Sequence, residues 1–215
     1  MTDLNKKSSK KNQAKGVTRR SFLKYSLQAG AAIGLCGGLS LTTSAQPHLR
    51  PPGVAAGADF STNCIRCGNC VEVCPTKALE QLDLSLDIKN IGTPVLNPER
   101  GGCIAWKEPC LKCVEACPTK ILSKHTPIEK QVLGVAHIQE EGCVNCMLCF
   151  EKCPIQGAVL FPNPKGEPFT RAYDIPSDMK LKYAKTKPYI DTERCVGCGL
   201  CAHFCPVKVM DIKPS

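Results

Sequence analysis

The chain has 215 residues and a formal net charge of +9, with 17 cysteines and only 5% aromatic residues. Residues 1–24 hold eight of the basic residues and one acidic residue, so little positive charge remains elsewhere. No stretch combines basic and aromatic residues, and this excludes a nucleic-acid-binding surface. So few aromatic residues predict a thin core, and small cysteine-rich chains are usually held together by disulfides or metal.

Residues 1–45 have the pattern of an export signal. The run Thr18-Arg19-Arg20-Ser21-Phe22-Leu23-Lys24 matches the twin-arginine signature. A weakly apolar stretch follows from Tyr25 to Leu41, and Thr43-Ser44-Ala45 offers small residues for cleavage. We expect delivery to the periplasm by the twin-arginine translocase, with cleavage favoured over retention as an anchor. Cys36 is interpreted as a small apolar residue of the signal.

Residues 46–60 are rich in proline and glycine, with Pro47, Pro51, Pro52, Gly53 and Gly57. This composition predicts an extended linker between the signal and the remaining chain, 61–215.

The sixteen remaining cysteines form four quartets, each followed by proline. The first quartet is Cys64, Cys67, Cys70 and Cys74 (motif 64–75); the second is Cys103, Cys110, Cys113 and Cys117 (103–118); the third is Cys143, Cys146, Cys149 and Cys153 (143–154); the fourth is Cys195, Cys198, Cys201 and Cys205 (195–206). Three quartets have the Cys-x₂-Cys-x₂-Cys-x₃-Cys-Pro spacing of bacterial ferredoxins. The second quartet has six residues in its first gap.

The spacing has a geometric reason. Three thiolates two residues apart can wrap one face of a cubane cluster, with backbone N–H groups directed at its sulfurs. The fourth cysteine comes too late for that loop and serves a neighbouring cluster, so quartets occur in pairs. We therefore expect an α+β fold of tandem 2[4Fe–4S] ferredoxin-like units, with short strands and helices around four [4Fe–4S] clusters and all sixteen cysteines as ligands.

Other cysteine chemistries explain less. A disulfide framework gives no reason for three identical spacings or for proline after every fourth cysteine. Structural zinc uses separated Cys-x₂-Cys knuckles and leaves the third cysteine unexplained. A [3Fe–4S] cluster at the irregular second quartet stays open, as does the role of Trp106 in its long gap, either as a shield for the cluster or as plain core.

Short elements are predicted around the quartets. Val135–Ile138 and Pro188–Asp191 favour strands, and each Cys-Pro is expected to start a short helix. The long segment from Phe161 to Pro188 predicts a surface loop and a candidate docking site. No catalytic residue and no phosphate, flavin or nicotinamide fingerprint is visible, so we expect an electron-transfer subunit without a substrate site of its own.

The chain resembles the NapG/MauM family of ferredoxin-type proteins. The residues that carry the resemblance are the twin-arginine signal, Arg50-Pro51-Pro52-Gly53, Phe60 leading into Cys64-Ile65-Arg66-Cys67-Gly68-Asn69-Cys70, and Gly92-Thr93-Pro94. The resemblance implies a periplasmic, membrane-associated protein that passes electrons from a quinol-oxidising iron–sulfur protein similar to NapH toward a periplasmic reductase or cytochrome, such as nitrate reductase. A MauM-like maturation factor for an exported redox enzyme is the alternative.

The resemblance also implies how the quartets pair. Related multi-cluster subunits of molybdenum reductases pair the first motif with the fourth and the second with the third. Carried over, Cys205 would complete the first cluster and Cys74 the cluster of the fourth quartet, while Cys153 would join Cys103, Cys110 and Cys113, and Cys117 would join the third quartet. The second quartet departs from the family's usual spacing, which leaves Cys103 as the least certain ligand.

Overall fold

A computed structural model describes residues 19, 47–54, 59–83, 87–124, 127–163, 166–170, 175 and 187–215. The chain divides into two compact units, Met1–Ser44 and Ala45–Ser215. Apart from Arg19, the predicted signal peptide lies outside the described residues. None of the helices in the described ranges has the length and apolar character needed to cross a lipid bilayer.

Every quartet contributes one very short helix, and its second residue is the third cysteine of that quartet. The four helices are Asn69–Glu72, Lys112–Glu115, Leu148–Lys152 and Leu200–His203. A further helix, Phe60–Asn63, is capped by the Asp59 side chain and ends at Cys64. Short 3₁₀ turns cover Ile88–Asn90, Ile128–Lys130 and Glu140–Gly142.

The prediction that each Cys-Pro starts a helix is wrong, because the helix precedes the fourth cysteine. After Cys-Pro the chain makes a tight turn in which the N–H of Lys77, Lys120 or Lys208 donates to the carbonyl of the fourth cysteine. These three lysines have positive φ angles of 53°, 56° and 52°. A left-handed residue at this point ends the turn and cannot continue a right-handed helix.

Six short strands form three antiparallel pairs. Strand β1 (Leu79–Gln81) pairs with β2 (Pro94–Leu96), β3 (Gly134–Ile138) with β6 (Met210–Pro214), and β4 (Val159–Leu160) with β5 (Tyr189–Ile190). Strands β3 and β5 confirm the two strands predicted before the third and fourth quartets. Short helices and two-stranded sheets make a mixed α+β fold, as expected for tandem dicluster ferredoxin units.

The predicted linker is folded into the second unit over the residues that the structure describes. Leu49 and Phe60 are buried, and Pro51 and Pro52 are among the most completely buried side chains. The Gly53 N–H donates to Gln131 Oε1 (2.6 Å). Pro52 and Gly53 form a turn, and the apolar side chains of this segment pack against the cysteine motifs and do not form a free connection.

The hydrophobic core consists in large part of the cysteine motifs themselves. Six cysteines are buried: Cys70, Cys113, Cys149, Cys198, Cys201 and Cys205. All of them except Cys198 belong to one cluster with apolar side chains such as Ala78, Leu122 and Phe161. The predicted docking loop contributes Phe161 and Ile175 to this core, while 164–165, 171–174 and 176–186 lie outside the described residues.

Gly102→Ala is expected to destabilise the protein by about 1–3 kcal/mol, the usual cost of forcing extra volume into a packed region. A Cβ at Gly102 would stand 2.7 Å from the Cα of Leu200, a backbone atom that cannot move aside cheaply. Thermal unfolding of the holoprotein measures the effect. The matched control is Gly166→Ala, whose Cβ would meet nothing nearer than 3.9 Å, and equal melting temperatures for the two variants would contradict the prediction.

Candidate iron–sulfur sites

The quartets line enclosed cavities, and each cavity combines cysteines from two quartets. Three cavities of similar size are bounded by four cysteines each. The second site holds Cys103, Cys110 and Cys113 with Cys74; the third holds Cys143, Cys146 and Cys149 with Cys205; the fourth holds Cys195, Cys198 and Cys201 with Cys153.

The first site follows from the remaining cysteines. Cys64, Cys67 and Cys70 lie close enough together to interact electrostatically. Cys117 is the fourth cysteine of the second quartet, and the helices Asn69–Glu72 and Lys112–Glu115 pack against each other. By the same exchange that places Cys74 in the second site, we assign Cys117 to the first.

The pairing implied by the molybdenum-reductase subunits is therefore wrong for this chain: the first quartet pairs with the second, and the third with the fourth. The reason is local packing. The hairpin of β1 and β2 folds the chain back between the first two quartets, and helix Leu148–Lys152 packs against Leu200–His203. Each fourth cysteine follows its helix and reaches the cavity of the quartet against which that helix packs.

The three regular loops share an unusual backbone. In the first loop Arg66 and Gly68, on either side of the second cysteine, have φ angles of 57° and 77°. The same pattern recurs at Asn145 and Met147 and at Gly197 and Gly199. Left-handed residues among right-handed ones turn successive N–H groups inward and create a concave site for an anion. The Arg66 N–H accordingly donates to Cys64 Sγ (3.4 Å).

The irregular second quartet builds its site differently. Its six-residue gap forms a turn in which the N–H groups of Lys107 and Glu108 donate to the Ile104 carbonyl. This turn brings Trp106 against Val196 and Leu200 of the fourth quartet. Trp106 thus packs between the second and fourth quartets, and Cys103, the least certain ligand by spacing, lines the second site.

Burial sets the protonation of the thiols in the absence of metal. It raises the pKa of Cys70 and of Cys103 to about 11, and that of Cys113, Cys149 and Cys198 to about 12. Neighbouring cysteines of the same site add to the effect, because several thiolates would repel one another in an apolar cavity. For Cys117, burial acts in the same direction, but hydrogen bonds from backbone N–H groups, including that of Leu122, prevail and lower its pKa.

These features fit a [4Fe–4S] cluster. Four thiols stand around each of the three cavities and, within the described residues, do not converge on the position of a single ion, whereas a cubane needs ligands at four separate corners. The cavity walls are otherwise almost entirely apolar. A bound iron–sulfur core would supply the positive charge that several adjacent thiolates need in an apolar cavity.

The four sites follow one another in the order first, second, fourth, third. The central step joins the two halves: the Cys103 N–H donates to the Cys198 carbonyl (2.7 Å). Two of the sixteen cysteines are exposed, Cys67 of the first quartet and Cys146 of the third. Beside them, Ile65 and Val144 are 62% and 59% exposed. The first and third sites therefore each have an exposed cysteine, whereas the cysteines of the second and fourth sites are buried or half-buried.

The spacing did not identify the residues that support the first site. Arg50, in the predicted linker, donates hydrogen bonds to Thr93 and to the Pro94 carbonyl. Arg50 and Thr93 are more than 40 residues apart in sequence, so the cysteine spacing gives no indication of this contact. The sequence feature that could have pointed to Arg50 is its position directly before two prolines.

Family models match most of the described unit. A 4Fe-4S dicluster domain model matches residues 63–121 and again 103–158, and a second 4Fe-4S dicluster model matches 139–209. The matches 63–121 and 139–209 each contain one of the two quartet pairs seen in the structure.

Similar proteins share these motifs over most of their length. The methylamine utilization ferredoxin-type protein MauM of Methylobacillus flagellatus is 33% identical over 172 residues, 77% of this chain and 67% of that protein. MauM of Paracoccus denitrificans is 31% identical over 206 residues, 88% and 83% of the two chains. The ferredoxin-type protein NapG of Escherichia coli is 29% identical over 208 residues, 91% and 84% of the two chains.

Proposed function

The chain belongs to the MauM/NapG family of ferredoxin-type iron–sulfur electron-transfer proteins, and we propose that it carries electrons from a membrane-bound, quinol-oxidising iron–sulfur protein similar to NapH toward a periplasmic reductase or cytochrome. Nitrate reductase is one such acceptor. The proposal places the protein in the periplasm, at the face of the inner membrane, after export by the twin-arginine translocase.

The row of four sites with an exposed cysteine at each end carries this proposal. A chain of redox centres that reaches the surface at two places suits a protein that meets one partner at each end. We propose four [4Fe–4S] clusters held by the sixteen quartet cysteines, each with a thiolate set and an apolar wall contributed by this chain. The clusters supply one-electron storage, and the protein supplies binding, burial and separation from water.

Spectroscopy and electron transfer test the role together. Anaerobically purified protein should contain about sixteen irons per chain, the content of four cubane clusters. Its visible absorbance should bleach when it is mixed with spheroplast membranes and menadiol, and should recover on addition of periplasmic extract with nitrate. Bleaching by dithionite but not by the membranes would contradict the quinol-side role.

A matched pair of variants sharpens this test. Cys67→Ala removes a ligand of an exposed end of the row and should lower the rate of bleaching or recovery. Gly166→Ala leaves all four quartets intact and should match the wild-type rates. Equal rates for the two variants would argue against a role of the first site in electron exchange.

The second candidate is a MauM-like maturation factor for another exported redox enzyme. Its support is that the two MauM relatives are slightly more similar to this chain than NapG of Escherichia coli is. Depleting the protein after its target enzyme has matured separates the two roles. Electron flow that continues after depletion favours maturation, and flow that stops favours the carrier.

A further inference from the structure

Arg50, Phe60 and Thr93-Pro94, which belong to three of the pieces of sequence that resemble the family, meet at one point in the structure. The Arg50 guanidinium donates to Thr93 Oγ1 (2.7 Å) and to the Pro94 carbonyl (3.0 Å). It also donates to Asn90 Oδ1 and lies over the ring of Phe60, 4.8 Å from the ring centre. Thr93 and Asn90 are themselves buried polar residues, so this is an interior network and not a surface ion pair.

This network leads directly to the first site. Phe60, under the guanidinium, begins the helix Phe60–Asn63, and its carbonyl accepts the N–H of Cys64 (3.1 Å). Arg50 is close enough to Cys64 for the two to interact electrostatically. The first ligand of the first site is therefore tied, through one aromatic ring and one backbone hydrogen bond, to a half-buried cation.

Further hydrogen bonds hold Asn90 in position. Asn90 Nδ2 donates to Asp87 Oδ2 (2.7 Å), and His48 Nε2 lies 2.9 Å from the same oxygen. Thr93 Oγ1 in turn donates to the Asn90 carbonyl (2.6 Å). Asp87 is the other charged member of this network, and the electrostatic interaction of Arg50 with Cys64 is stronger than its interaction with Asp87.

We propose that Arg50 is a positioning and charge-setting residue of the first site: it fixes Phe60 and Cys64, and it places a permanent positive charge beside one of the four sites only. Guanidinium stays protonated in proteins, and its field is strong where water is excluded. A fixed cation favours the more negative, reduced state of a nearby centre, so it raises the reduction potential of the first site relative to its value without Arg50. The inference requires iron–sulfur binding but not the quinol-to-reductase role.

Redox titration followed by electron paramagnetic resonance tests the charge, with dithionite as the reductant. In the holoprotein, Arg50→Gln should shift one midpoint potential downward and leave the others in place, whereas Arg50→Lys should keep that potential near the wild-type value. The matched control is Lys124→Gln, which removes the same charge from an exposed side chain (58% exposed) and should shift none. Unchanged potentials in Arg50→Gln, or an equal shift of all of them, would overturn the proposal.

Asn90→Asp keeps the test decisive should Arg50→Gln fail to fold. This nearly isosteric change adds a negative charge against the guanidinium and should also lower one potential. The assignment to the first site is checked in a Cys64→Ala/Cys67→Ala background, which leaves too few ligands for a cluster at that site, and Arg50→Gln should there shift none of the remaining potentials. A shift that persists there, or an Asn90→Asp protein with wild-type potentials, would refute the assignment. A melting temperature measured in parallel separates loss of stability from the change in potential, which a purely structural residue would not cause.

Discussion

Removal of iron from the holoprotein is expected to unfold the unit Ala45–Ser215. The strands have five residues or fewer and pair only two by two, and isolated two-stranded pairs are at best marginally stable in water. Much of the core is cysteine that faces a cluster cavity. Without clusters, the metal bonds that join two quartets at each of these sites would be lost, and structural metal binding contributes about 10–16 kcal/mol to folding in small zinc domains.

A loss of that size exceeds what a small domain can tolerate, because the free energy of unfolding of such domains is only about 5–15 kcal/mol. Metal binding and folding should therefore be one process. After oxidative extraction of iron with ferricyanide and EDTA, followed by reduction of the thiols, amide NMR signals should lose their dispersion. Reconstitution with iron and sulfide should restore them. An apoprotein with well-dispersed signals would contradict the prediction, and holoprotein carried through EDTA without oxidant is the control.

The cysteine spacing predicted the local loops well because the constraint is local. Two residues between thiolates force the chain to wrap, and the left-handed residues Arg66 and Asn145 show how a chain without glycine at those positions still does so. The strands before the third and fourth quartets were likewise visible as short apolar segments. In each case the residues that decide the conformation are neighbours in sequence.

The spacing predicted that quartets exchange their fourth cysteines, but it could not predict which quartets do so, because that depends on which helices pack together. Both pairings place the fourth cysteine at the same distance from its own loop. The packed linker is a similar case. Pro51 and Pro52 predicted a free connection, but whether that backbone is free or buried depends on partners such as Gln131, 78 residues away from Gly53.

Double alanine substitution is expected to reveal the cysteine exchange through its effect on iron content. Cys74 and Cys103 line the same cavity, so Cys74→Ala, Cys103→Ala and the double variant should each lose the same cluster. The double variant should then retain about twelve irons per chain, since two changes at one site do not add. Cys74 combined with Cys195 damages two cavities, and that double variant should retain about eight irons, because changes at independent sites add.

The pairing of first with fourth quartet makes the opposite prediction for the same two proteins, since Cys74 would then share a site with Cys195. A loss of two clusters from the Cys74 and Cys103 combination would therefore overturn the arrangement described here. The double variant of Cys153 and Cys195 tests the other half of the chain, where both residues line the fourth site. Should a site with three cysteines keep a [3Fe–4S] cluster, electron paramagnetic resonance of the oxidised protein separates the two cases. Loss of two cysteines from one site leaves too few ligands for such a cluster, whereas loss of one cysteine from each of two sites leaves two such clusters.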